Sequence, residues 1–120
     1  MIHNIIMNPN MAVHFFKTQS GAEPVREWLR GLPAIDRKII GEDIKTVQFG
    51  WPLGLPLVDH LDGDIWEIRV RLDRRIARIM FVAENGLMVL LHGFIKKTQK
   101  TAQSDLDLAK ARLKQLRRKK

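Results

Sequence analysis

The sequence contains no cysteine and no tyrosine. Without cysteine, the chain can form neither a disulfide nor a thiolate metal site, which fits the reducing cytoplasm that we expect as its location. Its four histidines do not have the spacing of metal ligands, so we predict no metal and no cofactor. The fold must therefore be held by packing.

Long apolar runs are also missing. The longest run, Leu87 to Leu91, is far too short to cross a membrane, and we predict no contact with one. Residues 1–16 lack a basic start, a continuous apolar stretch and a cleavage site, so we expect no secretion signal. We interpret 1–11 as a dispensable N-terminal extension, with disorder as an open alternative. Residues 12–120 are long enough for one domain but not for two.

Positive charge is abundant and unevenly placed. The net charge is +8, and residues 96–120 account for all of it with ten Lys or Arg against Asp105 and Asp107. A second cluster places five arginines within ten residues: Arg69, Arg71, Arg74, Arg75 and Arg78. Two basic clusters predict a polyanionic partner, RNA before others. For the terminal cluster, a solvated tail that only aids solubility is the alternative.

Two helices are predicted in the first half of the chain. Ser20, Glu23 and Pro24 form a helix-start signature, and this helix is predicted to reach about Leu32. A second helix is predicted over roughly 34–48, with a buried stripe of Ile35, Ile39, Ile40, Ile44 and Val47. The short break between them predicts a helical hairpin.

Strand patterns lie on both sides of these helices. Residues 12–17 are rich in β-forming residues and predict a short first strand. Residues 50–63 are interrupted by two prolines and predict a loop. Beyond this loop, apolar and polar residues alternate over 66–72, which predicts a half-buried strand.

A further hairpin follows. Asp73 and Arg74 are predicted to turn the chain into a strand over 75–82. The pair Asn85–Gly86 predicts the next turn, since both residues tolerate the positive φ that a tight hairpin requires. The strand after it, 87–95, is apolar on both faces, which predicts a central position in the sheet.

A C-terminal helix completes the predicted order β-α-α-β-β-β-α. It opens at Ser104 and Asp107, and its apolar side is formed by Leu106, Ala109, Leu113 and Leu116. We therefore predict an α+β fold in which a small, antiparallel-rich sheet is packed by the helical hairpin and the C-terminal helix.

The predicted strands place basic residues together. Arg69 and Arg71 share one face, and the hairpin brings Arg75 or Arg78 beside them. Several arginines on adjoining strands repel one another unless an anion is near, which is typical of functional surfaces. We predict a cationic patch at one end of the sheet, formed by Arg69, Arg78, His92, Lys96 and Lys97.

Two segments resemble a known family. The strings GDIWEIR (63–69) and RIMF (78–81) resemble the sheet of RelE-like toxins from type II toxin–antitoxin modules. The string LLHGFIKKTQKT (90–101), with Ala109 and Arg112 after it, closely resembles the ending of the phage-derived HigB-like branch. The resemblance covers about 12–112 and implies a RelE-like fold. Ala102 stands where the branch commonly has proline.

The resemblance implies an enzyme, a ribosome-dependent endoribonuclease (mRNA interferase) that cuts messenger RNA and so inhibits translation. The ribose 2′-oxygen attacks the adjacent phosphate without a metal. Arg69 and Arg78 match the phosphate-stabilising arginines, and Lys96 or Lys97 matches the basic residue after the last strand.

The acid and base of this reaction stay open. Many RelE-like enzymes use a C-terminal tyrosine, which this chain lacks. Glu67 and His92 are the nearby side chains that could exchange protons instead. Their alternatives are a core histidine for His92 and an ion pair with Arg69 or Arg78 for Glu67.

The remaining bases are predicted to bind RNA. They are Arg71, Arg74, Arg75, Lys100, Lys110, Arg112, Lys114, Arg117 and Arg118, and those of the C-terminal helix are expected to dock on ribosomal RNA. The expected partners are the ribosome, messenger RNA and a cognate antitoxin. The resemblance implies a HigA-like helix-turn-helix antitoxin, with promoter DNA bound only through the complex. Two alternatives are a ParE-like gyrase inhibitor without enzymatic activity, and a relative that only binds RNA or a partner.

Overall fold

The protein is described here by a computed structural model, which covers residues 11–96 and 102–118. The described residues form β1 (Ala12–Phe15), α1 (Pro24–Arg30), α2 (Ala34–Gly50), β2 (Val58–Asp62), β3 (Ile65–Leu72), β4 (Arg75–Glu84), β5 (Leu87–Lys96) and α3 (Gln103–Arg118). One five-stranded sheet has the order β1-β5-β4-β3-β2. Strands β1 and β5 are parallel and the other neighbours are antiparallel. The predicted α+β class with an antiparallel-rich sheet is confirmed.

Strand β2 corrects the prediction of an uninterrupted loop over 50–63. The chain there forms an edge strand that pairs with β3, so the sheet has one strand more than expected. Only Val58 of this strand is buried. Because one buried residue gives no periodic pattern, and Pro52 and Pro56 precede the strand closely, the loop signal dominated.

The helices cover the sheet from both sides. Helix α1 packs on β5 and β1, and α2 packs on β3, with a first core on that face. Helix α3 packs on β5 and β4 over a second core, which contains Ala109 and Leu113 as the C-terminal helix prediction expected. We call this second side of the sheet the α3 face.

The buried stripe of α2 differs from the prediction at its first position. Ile40, Ile44 and Val47 are buried, but Ile35 is 67% exposed. Asp36 takes the inward position instead, because it lies four residues before Ile40 and therefore on the same side of the helix. The buried stripe thus begins with a carboxylate.

The hairpin that leads into β5 matches the sequence. Asn85 and Gly86 have φ of 54° and 74°, as the predicted turn requires. Strand β5 lies between β1 and β4, which confirms its central position. Met11, which we assigned to the extension, is buried in the first core, while residues 1–10 of that extension lie outside the described residues.

We expect Gly93→Ala to lower the free energy of unfolding by about 1–3 kcal/mol, the usual cost of overpacking. Gly93 lies on β5 under Trp28, and a Cβ there would clash with the indole ring. Gly41→Ala is the matched control, because no atom lies within 4 Å of its added Cβ and α2 should gain about 0.5–1 kcal/mol. Urea unfolding measures the free energy of unfolding of both variants. Equal values for Gly93→Ala and Gly41→Ala would contradict the packing of α1 on β5.

Candidate active site

The register of three strands brings polar residues together at one end of the α3 face. Ile65 of β3 and Met80 of β4 belong to the core under α3. Because side chains alternate along a strand, the following polar residues lie on this same face. The cross-strand rows are Glu67–Met80–His92, then Arg69–Arg78–Phe94, then Arg71–Ile76–Lys96. We call the region spanned by these rows the cationic end of the sheet.

A buried ion pair lies in the cationic end of the sheet. Arg78 Nη1 donates a hydrogen bond of 2.9 Å to Glu67 Oε1. The two side chains are 3% and 0% exposed. The ion-pair alternative for Glu67 is therefore confirmed, with Arg78 as the partner. A carboxylate so enclosed is shielded from solvent, and it compensates the charge of the buried guanidinium.

Arg69 is the more accessible arginine of the aligned pair. It lies opposite Arg78 and is half-buried. With Arg71, Pro56 and Ile76 it lines a cavity of about 200 Å³. No carboxylate in the described part of the chain forms an ion pair with Arg69. Its charge is therefore available to an anionic ligand in the cavity.

His92 and Lys96 share a carboxylate that the sequence analysis had not assigned to the site. His92 Nε2 lies 2.8 Å from Asp105 Oδ1, and Lys96 Nζ lies 3.8 Å from Oδ2 of the same group. Asp105 is in the first turn of α3, so its contacts with His92 and Lys96 connect the start of this helix to the end of β5. The sequence did contain a signal for Asp105: residues 96–120 have ten Lys or Arg, and Asp105 is one of only two acidic residues there.

Phe94 also lies in the site without having been predicted there. Its ring stacks on His92 with a centroid distance of 5.0 Å and an interplanar angle of 24°. Lys96 Nζ lies 5.8 Å from the ring centroid, within the range of a cation–π contact. The imidazole is thus held by a ring contact as well as by its hydrogen bond.

The arginines of the β3–β4 turn lie away from the cationic end. Arg75 donates two hydrogen bonds, of 2.9 and 3.0 Å, to the buried Asp36 of α2, on the opposite face. These bonds raise the pKa of the Arg75 guanidinium. Arg74 is exposed in the turn itself, with φ of 59°. Of the two arginines considered as neighbours of Arg69, the register therefore places Arg78 beside it.

Three bases of α3 bind the protein's own groups. Lys110 pairs with Asp62, and this hydrogen bond raises the pKa of the lysine and lowers that of the carboxyl group. Arg117 donates to Asp64 and Glu84 over 2.7 and 2.8 Å. Arg112 donates to the Leu91 carbonyl over 2.8 Å, and burial lowers its pKa. These contacts hold α3 to the sheet.

Two other bases of α3 face solvent. Lys114 and Arg118 are exposed and form no ion pair with any described residue. Both line a cavity of about 540 Å³ between α3 and the β2–β3 turn, together with Asp62, Ile65 and others. The predicted site residues Lys97 and Lys100 lie outside the described residues.

The described residues contain no group of three or more His, Cys, Asp or Glu side chains placed to hold a metal ion. Among the helices in that part of the chain, none combines the length and apolar character that crossing a membrane requires.

Comparison with known proteins gives one result. The family described as "Phage derived protein Gp49-like (DUF891)" matches residues 27–114, which is more than half of the chain. The matched range extends from α1 to α3 and includes every residue of the cationic end. No curated protein matches the sequence significantly.

Proposed function

This chain belongs to the phage-derived Gp49-like family, and we propose that it is the toxin of a type II toxin–antitoxin module that cleaves messenger RNA on the ribosome. The observation that carries the proposal is the alignment of Arg69 with Arg78 one row from Lys96 and His92. Such a group of cations beside an imidazole suits a phosphodiester whose charge increases during reaction. The resemblance to RelE-like toxins of the HigB-like branch supports the same activity.

The proposed reaction breaks the bond between phosphorus and the 5′-oxygen. The ribose 2′-oxygen attacks phosphorus while its proton passes to a general base, and a 2′,3′-cyclic phosphate forms. The 5′-oxygen leaves as a hydroxyl after taking a proton from water, and the base returns its proton to solvent. His92 is the proposed base, because Glu67 is enclosed in its ion pair with Arg78.

The cations have distinct roles in this proposal. Arg69 contacts the phosphate directly, because its side chain lines the cavity. Lys96 adds charge from the neighbouring row. Arg78 is nearly enclosed and paired with Glu67, which compensates much of its charge, so its proposed contribution to the phosphate is indirect and smaller than that of Arg69. Lys97, which follows Lys96 in the sequence, is a proposed fourth cation.

The proposed partners follow from the same charges. Binding to the ribosome uses the exposed bases of α3, Lys114 and Arg118, which line the open cavity beside the β2–β3 turn. An antitoxin neutralises the chain by covering the cationic end with an acidic or helical segment. The HigB-like resemblance favours a helix-turn-helix protein for this role.

Expression of the chain without an antitoxin tests the proposal. We expect growth arrest and, by primer extension on cellular messages, discrete cuts in phase with the reading frame. DNA damage without such cuts would support a ParE-like gyrase inhibitor instead. Growth arrest with neither signature would support a relative that binds RNA or a partner without cleaving.

The ion pairs of α3 predict which of its lysines contributes to RNA binding. Lys114→Ala should reduce the salt dependence of ribosome binding by about one unit of slope, as expected when one phosphate contact is lost. Lys110→Ala is the matched control, because Lys110 is already paired with Asp62. Binding is measured by sedimentation with ribosomes over a salt series. Equal slopes for the two variants would contradict the proposed contact.

A further inference from the structure

We propose that Asp105 is a positioning residue that fixes the tautomer of His92 and thereby makes its Nδ1 the proton acceptor in RNA cleavage. The inference rests on the proposed function and adds to it a residue from α3. It also supplies a base to a chain that has no tyrosine.

The geometry defines which nitrogen carries the proton. A carboxylate only accepts hydrogen bonds, so the 2.8 Å contact requires that His92 Nε2 donates to Asp105 Oδ1. In a neutral imidazole the other nitrogen then has the free lone pair. No described residue forms a hydrogen bond with His92 Nδ1. The free lone pair is the one that can take the proton of a 2′-hydroxyl.

The hydrogen bond between His92 and Asp105 is largely shielded from solvent. The side chains of His92 and Asp105 are 14% and 21% exposed, so the bond is shielded but its outer edge meets solvent. Phe94 supports the imidazole plane from one side by stacking. A hydrogen bond and a ring contact together leave the imidazole little freedom to rotate, as a positioned base requires.

Other charges face His92 and set its environment. Lys96 comes from the same strand, and Arg78, paired with Glu67, comes from the adjacent row of β4. Arg112 of α3 binds the carbonyl of Leu91, the preceding residue. Asp105 is the one described carboxylate in contact with the imidazole. Its removal changes both the hydrogen bond and the local charge balance.

Asp105→Asn is the discriminating variant. The amide can donate to Nε2, which would leave the proton on Nδ1 and remove the acceptor. We expect cleavage of message on purified, programmed ribosomes to fall at least about tenfold, since a wrong tautomer cost about 10⁴-fold in a serine protease. Asp107→Asn is the matched control: it makes the same charge change on the same helix, at an exposed carboxylate bonded to Gln103. This control should cleave at the parent rate.

A spectroscopic measurement separates positioning from a purely structural role. Long-range ¹H–¹⁵N spectra of ¹⁵N-histidine protein, with His92 assigned by His92→Gln, report the protonated nitrogen directly. We expect protonated Nε2 and unprotonated Nδ1 in the parent chain, and a changed pattern in Asp105→Asn. The parent spectrum is informative even if the variant does not fold.

The outcomes distinguish the two proposals. A parent chain that cleaves, together with Asp105→Asn cleaving as fast as Asp107→Asn, would overturn the role of Asp105 alone. A parent spectrum with the proton on Nδ1 would do the same. A folded parent that makes no cuts would overturn the proposed function, and the positioning role of Asp105 in cleavage with it, even if the spectrum shows the expected tautomer.

Discussion

Arg69→Ala is expected to lower the rate of message cleavage on programmed ribosomes by about a hundredfold or more, the usual loss when a stabiliser of transition-state charge is removed. The side chain lines the small cavity of the cationic end and has no described carboxylate partner. Its charge is therefore directed to a ligand rather than to the fold. The free energy of unfolding should change little, because the side chain is only half-buried and forms no ion pair there.

The control for Arg69→Ala is Arg30→Ala. Arg30 is an exposed arginine at the end of α1, on the opposite side of the sheet. The Arg30→Ala substitution removes the same charge from the chain as Arg69→Ala, so any general loss of attraction to RNA affects both variants. Single-turnover rates with saturating toxin separate chemistry from binding. Equal rates for the two variants would remove Arg69 from the proposed site.

Arg78→Met is expected to lower the free energy of unfolding by about 3–5 kcal/mol, because removing one partner of an enclosed ion pair leaves the buried charge of the other less compensated. Both side chains of the pair are almost fully enclosed. The double variant Glu67→Leu with Arg78→Met should recover most of this stability, since an apolar pair of similar volume often replaces a buried ion pair without loss. Urea unfolding of the parent, the single variant and the double variant measures both effects.

The double variant also separates folding from catalysis. If Arg78 contributes to the phosphate site despite its pairing with Glu67, the folded double variant should cleave more slowly than the parent, but by a smaller factor than Arg69→Ala. A stable double variant that cleaves at the parent rate would reduce Arg78 to a structural role. A single variant as stable as the parent would contradict the enclosed ion pair itself.

Much of the fold could be predicted where one physical signal dominates. The alternation over 66–72 determines which side of β3 packs against α2, and Asn85–Gly86 determines the hairpin into β5. The apolar side of α3 was also predicted correctly, since Ala109 and Leu113 of that side are the buried residues of the helix. In each case local periodicity or turn chemistry agrees with the tertiary packing.

The remaining features depend on contacts between residues distant in sequence. Strand β2 was not predicted, because only one of its residues is buried and its sequence therefore shows no strand pattern. The strand is defined by its backbone pairing with β3. The prediction that Ile35 is buried was wrong, because the sequence does not show that Asp36 accepts hydrogen bonds from Arg75, 39 residues away. Charge alone also could not reveal that Lys110 and Arg117 pair with acids of the sheet.

The candidate site divides in the same way. Strand alternation and the predicted hairpin placed either Arg75 or Arg78 beside Arg69, and the observed register selects Arg78. The partner of His92 was not predictable, because Asp105 reaches it from a different element and enters the sequence analysis only as one of two acids in the basic terminal cluster. Similarly, the sequence left Glu67 open between a proton-exchanging role and an ion pair until its burial was known.

The most direct test of the central claim uses purified chain, purified ribosomes and one message of defined sequence. Cuts are expected only in ribosome-bound message, with a 2′,3′-cyclic phosphate on one fragment and a 5′-hydroxyl on the other. The same reaction with Arg69→Ala should give about a hundredfold fewer cuts in the same time. Intact message with the parent chain, under conditions in which it binds ribosomes, would contradict the account.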